Sequence, residues 1–193
     1  KVKLPEGAQH VALSFDASYA SYILGDELVI VDVAGGEEEM VLQESFVPDF
    51  YKWLPDRNML IFSNEETKNN MGTISIRTYD ADAGLVRSYP EITALPAGSH
   101  VEDIQLSTLT NLVYVKIVTG TNSAEIYRFN IMEEQDHVMT VDSDVEILLL
   151  HISDVLLYQQ DGAGIKLRYD SSGEEKELDA RGSLLLGSDT EDV

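Results

Sequence analysis

The stretch LSFDASYASYILGDELVIVDVAGGEEE, residues Leu13 to Glu39, decides the fold of this chain. It contains two apolar runs of strand length around a tight turn, followed by a short loop and an acidic exit. Alternation of apolar and polar residues over five or six positions is typical of a half-buried β-strand. The architecture of the whole chain therefore depends on whether this hairpin is repeated.

The second half of the stretch recurs along the sequence. The four copies are DELVIVDVAGG (26–36), GTISIRTYDADAG (72–84), AEIYRFNIMEE (124–134) and GIKLRYDSSGEE (164–175). Each copy reaches a residue whose side chain can cap a turn, namely Asp32, Asp80, Asn130 or Asp170. A glycine follows in all copies but the third, and glycine supplies the positive φ that ends such a turn. Each copy, with the short apolar run after it, predicts a β-hairpin.

The first half of the stretch recurs as well. Its echoes are WLPDRNMLIFS (53–63), QLSTLTNLVYVKI (105–117) and, shortened, LLLHISDVLLYQQ (148–160). An aromatic residue falls at the same place in each copy, namely Tyr22, Phe62, Tyr114 and Tyr158. Meanders of four short strands that recur at about 40 to 50 residues have the period expected of β-propeller blades.

The sequence therefore predicts an all-β protein, a β-propeller of about four four-stranded antiparallel blades plus a partial fifth blade or closing strand. The predicted repeats of this single propeller-like domain span about 8–45, 46–92, 99–142 and 143–180, with a partial copy at 183–193. The apolar run Leu184 to Leu186 favours a packed strand before a loose acidic end. An antiparallel β-sandwich built from the same hairpins is the alternative fold.

These units resemble the blades of the TolB-like and dipeptidyl-peptidase-like propellers, which are WD40-like. A blade of that family runs from an apolar strand through a Pro-Asp-Gly-like turn to an aromatic-bearing strand, then into a Leu-x-hydrophobic-x-Asp-x-x-x-Gly hairpin. LPDRNMLIFS and ELVIVDVAGGEE match best, whereas the third copy lacks both the turn Asp and the hairpin Gly. The resemblance covers nearly the whole chain and implies a fold rather than a reaction.

Composition narrows the partners. Thirty-five acidic and thirteen basic residues give a formal net charge of -22, which repels phosphate backbones and anionic lipid head groups. Nucleic acid is therefore not an expected partner. The chain has no cysteine, which excludes disulfides, thiolate nucleophiles and cysteine-based zinc sites. The longest apolar stretch, Ile147 to Tyr158, is interrupted by polar residues, so no membrane insertion is expected in this segment.

Asp80 and Asp82 in YDADAG have the spacing that begins a calcium loop. The later bidentate glutamate of such a loop is missing, and the other copies have a hairpin turn at this place, so a turn is favoured. The histidines, His10, His100, His137 and His151, lack the spacing of a zinc site. They are therefore not predicted to bind a metal, and a packed or capping role is predicted for His151.

Ser99 and His100 are adjacent in PAGSH, but they precede the third repeat and are interpreted as part of a linker. The sequence has no Gly-x-Ser-x-Gly elbow and no glycine-rich phosphate loop. No catalytic, cofactor-binding or metal-binding residue is predicted, and no cofactor is expected.

Five tyrosines on predicted strands allow two interpretations. They could line a binding face, or they could fill the space between blades, which suits a large ring with one polar tip. The second interpretation is favoured for all five: Tyr19, Tyr22, Tyr114, Tyr127 and Tyr158.

The favoured functional hypothesis is a non-catalytic propeller scaffold or binding module for a protein or a small ligand. It would be the exported part of a bacterial envelope or surface protein whose upstream signal or anchor was removed, with the cytoplasm as the alternative location. The alternative function, implied by the resemblance, is the propeller domain of a dipeptidyl-peptidase-like serine hydrolase whose catalytic domain is absent from this chain. Open sheet edges would also favour self-association into a homo-oligomer.

Overall fold

The computed structural model describes residues 3–33, 39–44, 46–130, 132, 134–150, 154–160 and 164–181. Within these ranges the secondary structure is β-strand, with no helix. The strands are β1 (Gln9–Leu13), β2 (Tyr19–Leu24), β3 (Glu27–Asp32), β4 (Glu39–Glu44), β5 (Phe50–Trp53), β6 (Met59–Lys68), β7 (Met71–Asp80), β8 (Leu85–Ser88), β9 (Ile92–Pro96), β10 (His100–Ser107), β11 (Leu112–Gly120), β12 (Ser123–Phe129), β13 (Gln135–Val141), β14 (Glu146–Leu149), β15 (Val155–Gln159), β16 (Gly164–Tyr169) and β17 (Glu175–Arg181). His151 and the predicted partial copy at 183–193 lie outside the described residues.

The strands form four antiparallel sheets, each built from consecutive strands. Sheet 1 contains β1 to β4, sheet 2 contains β5 to β8, sheet 3 contains β10 to β13, and sheet 4 contains β14 to β17. Strand β9 is a fifth strand of sheet 2: it pairs with β7, outside the order β5-β6-β7-β8. The prediction of four four-stranded antiparallel sheets is confirmed, and none of the described sheets mixes strands from distant repeats.

The chain divides into two compact units, residues 1–94 and 95–193. In the first unit, sheets 1 and 2 pack through one apolar cluster, to which β2 and β3 contribute from one side and β6 and β7 from the other. Its buried members are Ile23, Leu28, Ile30, Leu60, Phe62, Tyr79 and Ala81. Sheet 1 is apolar on its opposite face as well, where Tyr22 and Val29 pack with Leu4 and Ala8 from the segment before β1.

In the second unit, sheets 3 and 4 pack in the same manner. The buried members of their cluster are Leu112, Tyr114, Ile126, Val145, Ile147, Leu149, Leu156 and Tyr158. Burying a large apolar side chain contributes roughly 1.5 to 3 kcal/mol to stability. The opposite face of sheet 4 is also apolar, with Val155, Leu157 and Leu167 buried.

The strand register corrects the predicted equivalence of the four aromatic residues. The backbone pairs that close the first turn of each sheet are Ser14 with Tyr19, Leu54 with Met59, Ser107 with Leu112 and Leu150 with Val155. The residue eight positions after the first member of each pair is Tyr22, Phe62, Val115 and Tyr158 (14 + 8, 54 + 8, 107 + 8, 150 + 8). Tyr114 is therefore one position early and corresponds to Ser21, so it lies on the opposite face of its sheet from the other three aromatics.

The register also corrects the turn residues. Asp32 pairs with Tyr19 and Asp80 pairs with Met59, at the first residue of the second strand. In sheet 4 that place belongs to Tyr169, which pairs with Val155, so Asp170 lies one residue further along. The prediction that Asp170 is equivalent to the other turn residues is therefore wrong by one position.

Two of the predicted turn residues cap their turns. The Oδ1 atom of Asp80 accepts a hydrogen bond from the backbone N–H of Ala83 at 3.0 Å. The Oδ1 atom of Asn130 accepts from the N–H groups of Met132 and Glu134 at 2.9 and 3.0 Å. The third copy therefore closes its turn by side-chain capping although it lacks the glycine.

The β6–β7 hairpin is the longest of the described hairpins, with ten residues in each strand. Asn69 and Asn70 form its two-residue turn with φ values of 51° and 64°. Positive φ at both central positions is the requirement of the tight hairpin turn that matches the strand twist.

Candidate functional site

Three cavities lie along the boundary between sheets 3 and 4. Two of them flank the linker 142–145, which joins β13 to β14, and they have volumes of about 400 and 450 Å³. The third has a volume of about 230 Å³ and involves the far ends of β12 and β16. We name them by one lining residue each, as the Lys166 cavity (400 Å³), the Lys116 cavity (450 Å³) and the Arg128 cavity (230 Å³).

The Lys166 cavity combines an apolar floor with a polar rim. Val145 and Tyr158 are buried members of the cluster between the sheets and form the floor. The remaining lining residues come from the β11–β12 turn, the start of β12, β13, the linker, the residue after β15, and β16: Asn122, Ser123, Thr140, Val141, Asp142, Gln160, Gly164 and Lys166. Ligand sites typically have this composition, with a few polar groups placed around apolar surface.

The polar side chains of the Lys166 cavity differ in the contacts that they make with other protein groups. The Nε2 atom of Gln160 donates a hydrogen bond to Oδ2 of Asp142 at 2.9 Å, which joins β15 to the linker. The ammonium of Lys166 lies 5.7 Å from the centroid of the Tyr158 ring. Burial and a hydrogen bond with Glu175 raise the pKa of Tyr158 to about 12, so its hydroxyl stays protonated at neutral pH.

The Lys116 cavity lies on the other side of the linker. Lys116 is buried, and its Nζ donates to the carbonyl oxygen of Ser143 at 2.7 Å and also contacts the carboxylate of Glu102. Acidic and amide side chains form much of the remaining lining, including Asp103, whose carboxylate accepts from Gln105. The ammonium of Lys116 therefore fixes the linker to β11.

The Arg128 cavity contains a polar network that crosses from sheet 3 to sheet 4. The hydroxyl of Tyr114 donates to Oδ1 of Asp170 at 2.6 Å, and Nη1 of Arg128 donates to the same oxygen at 2.7 Å. Nη2 of Arg128 donates to Asp136 at 2.8 Å. Burial and the hydrogen bond to Asp170 strongly raise the pKa of Tyr114. Burial lowers the pKa of Arg128, but the hydrogen bond and charge of Asp170 outweigh it and raise that pKa overall.

In the first unit, the sequence candidates Asp80 and Asp82 line a cavity of about 390 Å³ near the turns of sheet 2. The Nδ2 atom of buried Asn58 donates to both carboxylate oxygens of Asp82, at 3.1 and 3.3 Å. Oδ1 of Asn58 accepts from the backbone N–H of Asp16 at 3.4 Å. Asp80 caps its own turn, so both carboxylates serve local structure. The described residues contain no group of three or more His, Cys, Asp or Glu side chains arranged to hold a metal ion.

His137, and the neighbours Ser99 and His100, have structural contacts, whereas His10 accepts a hydrogen bond from Tyr51 through its backbone carbonyl. His137 contacts Glu125 through Nε2 at 2.5 Å and packs edge-on against the Tyr127 ring. Ser99 is buried, and its hydroxyl donates to the carbonyl oxygen of Pro96 at 2.7 Å. Nδ1 of His100 lies 3.4 Å from the carbonyl oxygen of Gly98. The contacts of Ser99 and His100 stabilise the turn before β10, and the two side chains do not form a nucleophile–base pair.

The tyrosines lie mainly in the sheet packing. Tyr22, Tyr114 and Tyr158 are buried in the apolar clusters, and Tyr19 stacks on Trp53 with ring centroids 6.5 Å apart. Tyr127 is half-buried beside His137. The tyrosines of the second unit nevertheless contribute to the cavities, since Tyr158 supplies the floor of one and Tyr114 the network of another.

The residues that build the Lys166 cavity were not recognised in the sequence. They come from separate strands and turns whose proximity depends on the pairing of β12 with β13 and of β15 with β16. A usable signal was present in the repeats, since a cation occurs opposite the second-strand aromatic in two of them, as Arg77 and Lys166. That signal becomes visible once the strand register is known.

No protein-family model matches the sequence, and no curated protein matches it. Among solved structures, the chain is similar to dipeptidyl peptidase 4 from Porphyromonas gingivalis, with a TM-score of 0.59 and 11% identity, covering 90% of this chain and 32% of that chain. It is also similar to an acylaminoacyl peptidase from Pyrococcus horikoshii, with a TM-score of 0.55 and 13% identity, covering 91% and 32%. A match to TolB from Acinetobacter baumannii has a TM-score of 0.46 and 13% identity, covering 89% and 43%.

These similarities define the class of protein. The chain has the β-propeller fold, with its four sheets as blades, so the predicted fold class and the predicted resemblance to dipeptidyl-peptidase-like propellers are confirmed. The chain spans about a third of the length of the two peptidases. In the described part of the chain, no helix is long and apolar enough to cross a membrane.

Proposed function

We propose that this chain is a non-catalytic β-propeller binding module and that the Lys166 cavity is its ligand site. One observation carries the proposal: a cavity of about 400 Å³ at a blade boundary has a buried apolar floor and a rim of polar side chains. Pockets of roughly 300 to 1,000 Å³ with this composition are typical of small-molecule sites. The neighbouring cavities are less suitable, since an ammonium and a guanidinium already make ion pairs in them.

The acidic surface restricts what such a module would bind. A net charge of -22 disfavours nucleic acid and anionic membrane surfaces. The proposal therefore concerns small ligands or proteins, and it includes an exported role in a bacterial envelope or surface protein. Self-association is part of the same proposal, to be read from light scattering on the purified chain.

A fragment screen by two-dimensional NMR tests the ligand site. We expect saturable shifts at the amides of Asn122, Val145 and Gly164 with at least one neutral or charged fragment. Thr140→Trp, which fills the cavity from its exposed rim, should abolish these shifts. Thr67→Trp, at an exposed strand residue of sheet 2, is the matched control and should leave them unchanged. A screen in which no fragment shifts the cavity amides would contradict the proposal.

A second candidate function is the propeller domain of a dipeptidyl-peptidase-like serine hydrolase. The observation that favours it is that the similar structures with TM-scores of 0.59 and 0.55 are both peptidases. The native protein, isolated from its source with an antibody against this chain, should then react with a fluorophosphonate probe specific for active-site serines. Absence of labelling in a correctly folded native protein would favour the non-catalytic module.

A further inference from the structure

Sheets 2 and 4 each have a cationic side chain at the same structural position, on the face that packs against the preceding sheet. Phe62 and Tyr158 are equivalent second-strand residues, and their cross-strand partners are Arg77 and Lys166. Each cation lies over the ring of its partner, at 4.9 Å for Arg77 and 5.7 Å for Lys166. Arg77 and Lys166 are therefore equivalent in the fold, and their surroundings can be compared directly.

Arg77 is neutralised by the sheet it faces. Its Nη1 atom lies 3.0 Å from Oε1 of Glu44, at the end of β4 in sheet 1, and the side chains are 25% and 18% exposed. Its guanidinium also lies 5.0 Å from the centroid of the Phe46 ring. A carboxylate at the end of sheet 1 and an aromatic ring from the segment that follows it thus lie against this cation.

Among the described residues of sheet 3, no carboxylate pairs with Lys166 in this way. Glu44 pairs with Leu28 in sheet 1, and the corresponding pair in sheet 3 is Met139 with Ile126. Met139 is part of the apolar packing between sheets 3 and 4. Within the described residues, Lys166 has its ring contact and no ion pair, and the space in front of it is the Lys166 cavity.

Among the described residues, the carboxylates near this cavity have other partners. Asp142 accepts the amide of Gln160 at 2.9 Å. Glu177 is the cross-strand partner of Lys166, but its Oε1 lies against Gly164, 2.5 Å from where a Cβ would stand on that residue. It is not within ion-pair distance of the Lys166 ammonium in the described structure. Glu125, on β12, contacts His137 and Thr140.

We propose that the Lys166 cavity binds a small organic monocarboxylate, whose carboxylate occupies the place on Lys166 that Glu44 occupies on Arg77. This inference rests on the proposed function of the cavity as a ligand site. A hydrogen bond between two charged groups is stronger than one between neutral groups, and the Tyr158 ring stabilises the cation from behind. One ammonium balances one negative charge, and the net charge of the chain disfavours more highly charged anions. Asn122 and Gln160 supply amides for the polar body of the ligand.

Acid and amide pairs test the inference. The probes are lactate with lactamide and N-acetylglycine with N-acetylglycinamide, titrated into the whole chain by NMR at the Lys166 side chain and the cavity amides. We expect saturable binding of the acids and at least tenfold weaker binding of the amides. Lys166→Met should weaken acid binding on the order of tenfold to a hundredfold, since charged hydrogen bonds contribute about 1.5 to 3 kcal/mol. Lys166→Arg should retain it.

Two further variants make the test specific. Lys176→Met removes an exposed lysine of β17 in the same sheet and should leave acid binding unchanged. Glu177→Gln removes the negative charge closest to Lys166 along the strand pair and should tighten acid binding by about twofold to tenfold. Equal losses in Lys166→Met and Lys176→Met would mean a general charge effect and would overturn the inference.

The outcomes separate the inference from the proposed function. If neutral fragments shift the cavity amides and the acids bind no better than their amides, the cavity is a ligand site but the carboxylate assignment is wrong. If neither fragments nor acids shift the cavity amides, both proposals are wrong.

Discussion

Each unit packs two sheets against each other, but the side chains at the boundary differ between sheets 1 and 2 and sheets 3 and 4. Between sheets 1 and 2, aromatic rings dominate, with Trp53 stacked on Tyr19 and Phe46 packed near Phe62. Between sheets 3 and 4, the apolar cluster is flanked by a buried lysine, an arginine–carboxylate network and three cavities. The first boundary is therefore filled by rings, whereas the second leaves space lined by polar groups.

One pair of equivalent residues shows what the difference means. Ser21 and Tyr114 occupy the same structural position, and each makes a polar bond across its boundary. The hydroxyl of Ser21 accepts from the indole Nε1 of Trp53 at 3.0 Å, whereas Tyr114 donates to Asp170. In sheets 1 and 3 this position therefore makes a polar bond to the neighbouring sheet of the same unit, and the bond changes from neutral to charged between the two units. The charged side chains of the second unit also line a cavity between its sheets, as Arg128 and Asp170 do.

The largest expected effect tests these two ties against each other. Asp170→Asn removes the carboxylate that the Arg128 guanidinium and the Tyr114 hydroxyl share, in a region where the side chains of Arg128 and Asp170 are 18% and 13% exposed, and leaves Arg128 its contact with the more exposed Asp136. Breaking one partner of such a pair should lower the free energy of unfolding by about 3 kcal/mol. Ser21→Ala loses one neutral hydrogen bond and should cost about 1 kcal/mol. Urea denaturation of both variants measures the difference, and equal costs would refute the distinction between charged and neutral ties.

The equivalent cations Arg77 and Lys166 sharpen the comparison further. Arg77→Met removes an ion pair and two ring contacts and should cost about 2 kcal/mol in urea denaturation. Lys166→Met should change the free energy of unfolding by about 0.5 kcal/mol or less, since the side chain is exposed and makes one ring contact. A large loss of stability in Lys166→Met would mean that this lysine is structural, contrary to its proposed role in binding.

Much of the fold could be predicted from the sequence, whereas the register of the repeats could not. Alternation and turn residues predicted the strands and the four sheets. The one-residue offsets of Tyr114 and Asp170 were missed because these blades are apolar on both faces. Val113, Tyr114 and Val115 are all buried, so the apolar pattern does not distinguish one face from the other. The two residues that depart from the repeat hydrogen-bond to each other, which explains why the charged tie occurs in the second unit.

The cavity could not be predicted for a related reason. Met139 stands where the other unit has the carboxylate of Glu44, and that equivalence depends on strand pairing. Asp80 and Asp82, the Ser99–His100 pair and His137 were visible in the sequence, and the structure shows structural contacts for each of them. Sites of this kind are found by comparing repeats position by position after the first turns have been aligned.

The hydrogen bond between Tyr114 and Asp170 should make the free energy of unfolding depend on pH in the alkaline range. The pKa of Tyr114 is raised in the folded state by burial and by Asp170, whereas in the unfolded chain it is about 10. Its contribution is fully present below about pH 10 and is lost at higher pH, because the unfolded state then releases a proton that the folded state keeps. Tyr114→Phe should therefore reduce the fall in unfolding free energy above about pH 10 by up to roughly 1.4 kcal/mol per pH unit. Denaturation curves at several alkaline pH values give this slope, and an unchanged slope would contradict the expectation.

The smallest expected effects concern two glycines. Gly84 has a φ of +66° in the capped turn of sheet 2, so Gly84→Ala should cost about 1 kcal/mol through backbone strain. At Gly164, an added Cβ meets the flexible end of Glu177, which can move. Gly164→Ala should therefore cost about 0.5 kcal/mol or less. Thermal denaturation ranks the two, and a reversed order would mean that the Glu177 carboxylate is rigidly held beside the cavity.

The long β6–β7 hairpin provides an exposed position for site-specific labelling. Met71 follows its Asn69–Asn70 turn, is 46% exposed and lies on a hairpin of the first unit, whereas the Lys166 cavity belongs to the second. Because the natural chain contains no cysteine, Met71→Cys would introduce a unique thiol. A fluorophore or a surface tether could then be attached at this single exposed position of the chain without any need to remove competing thiols.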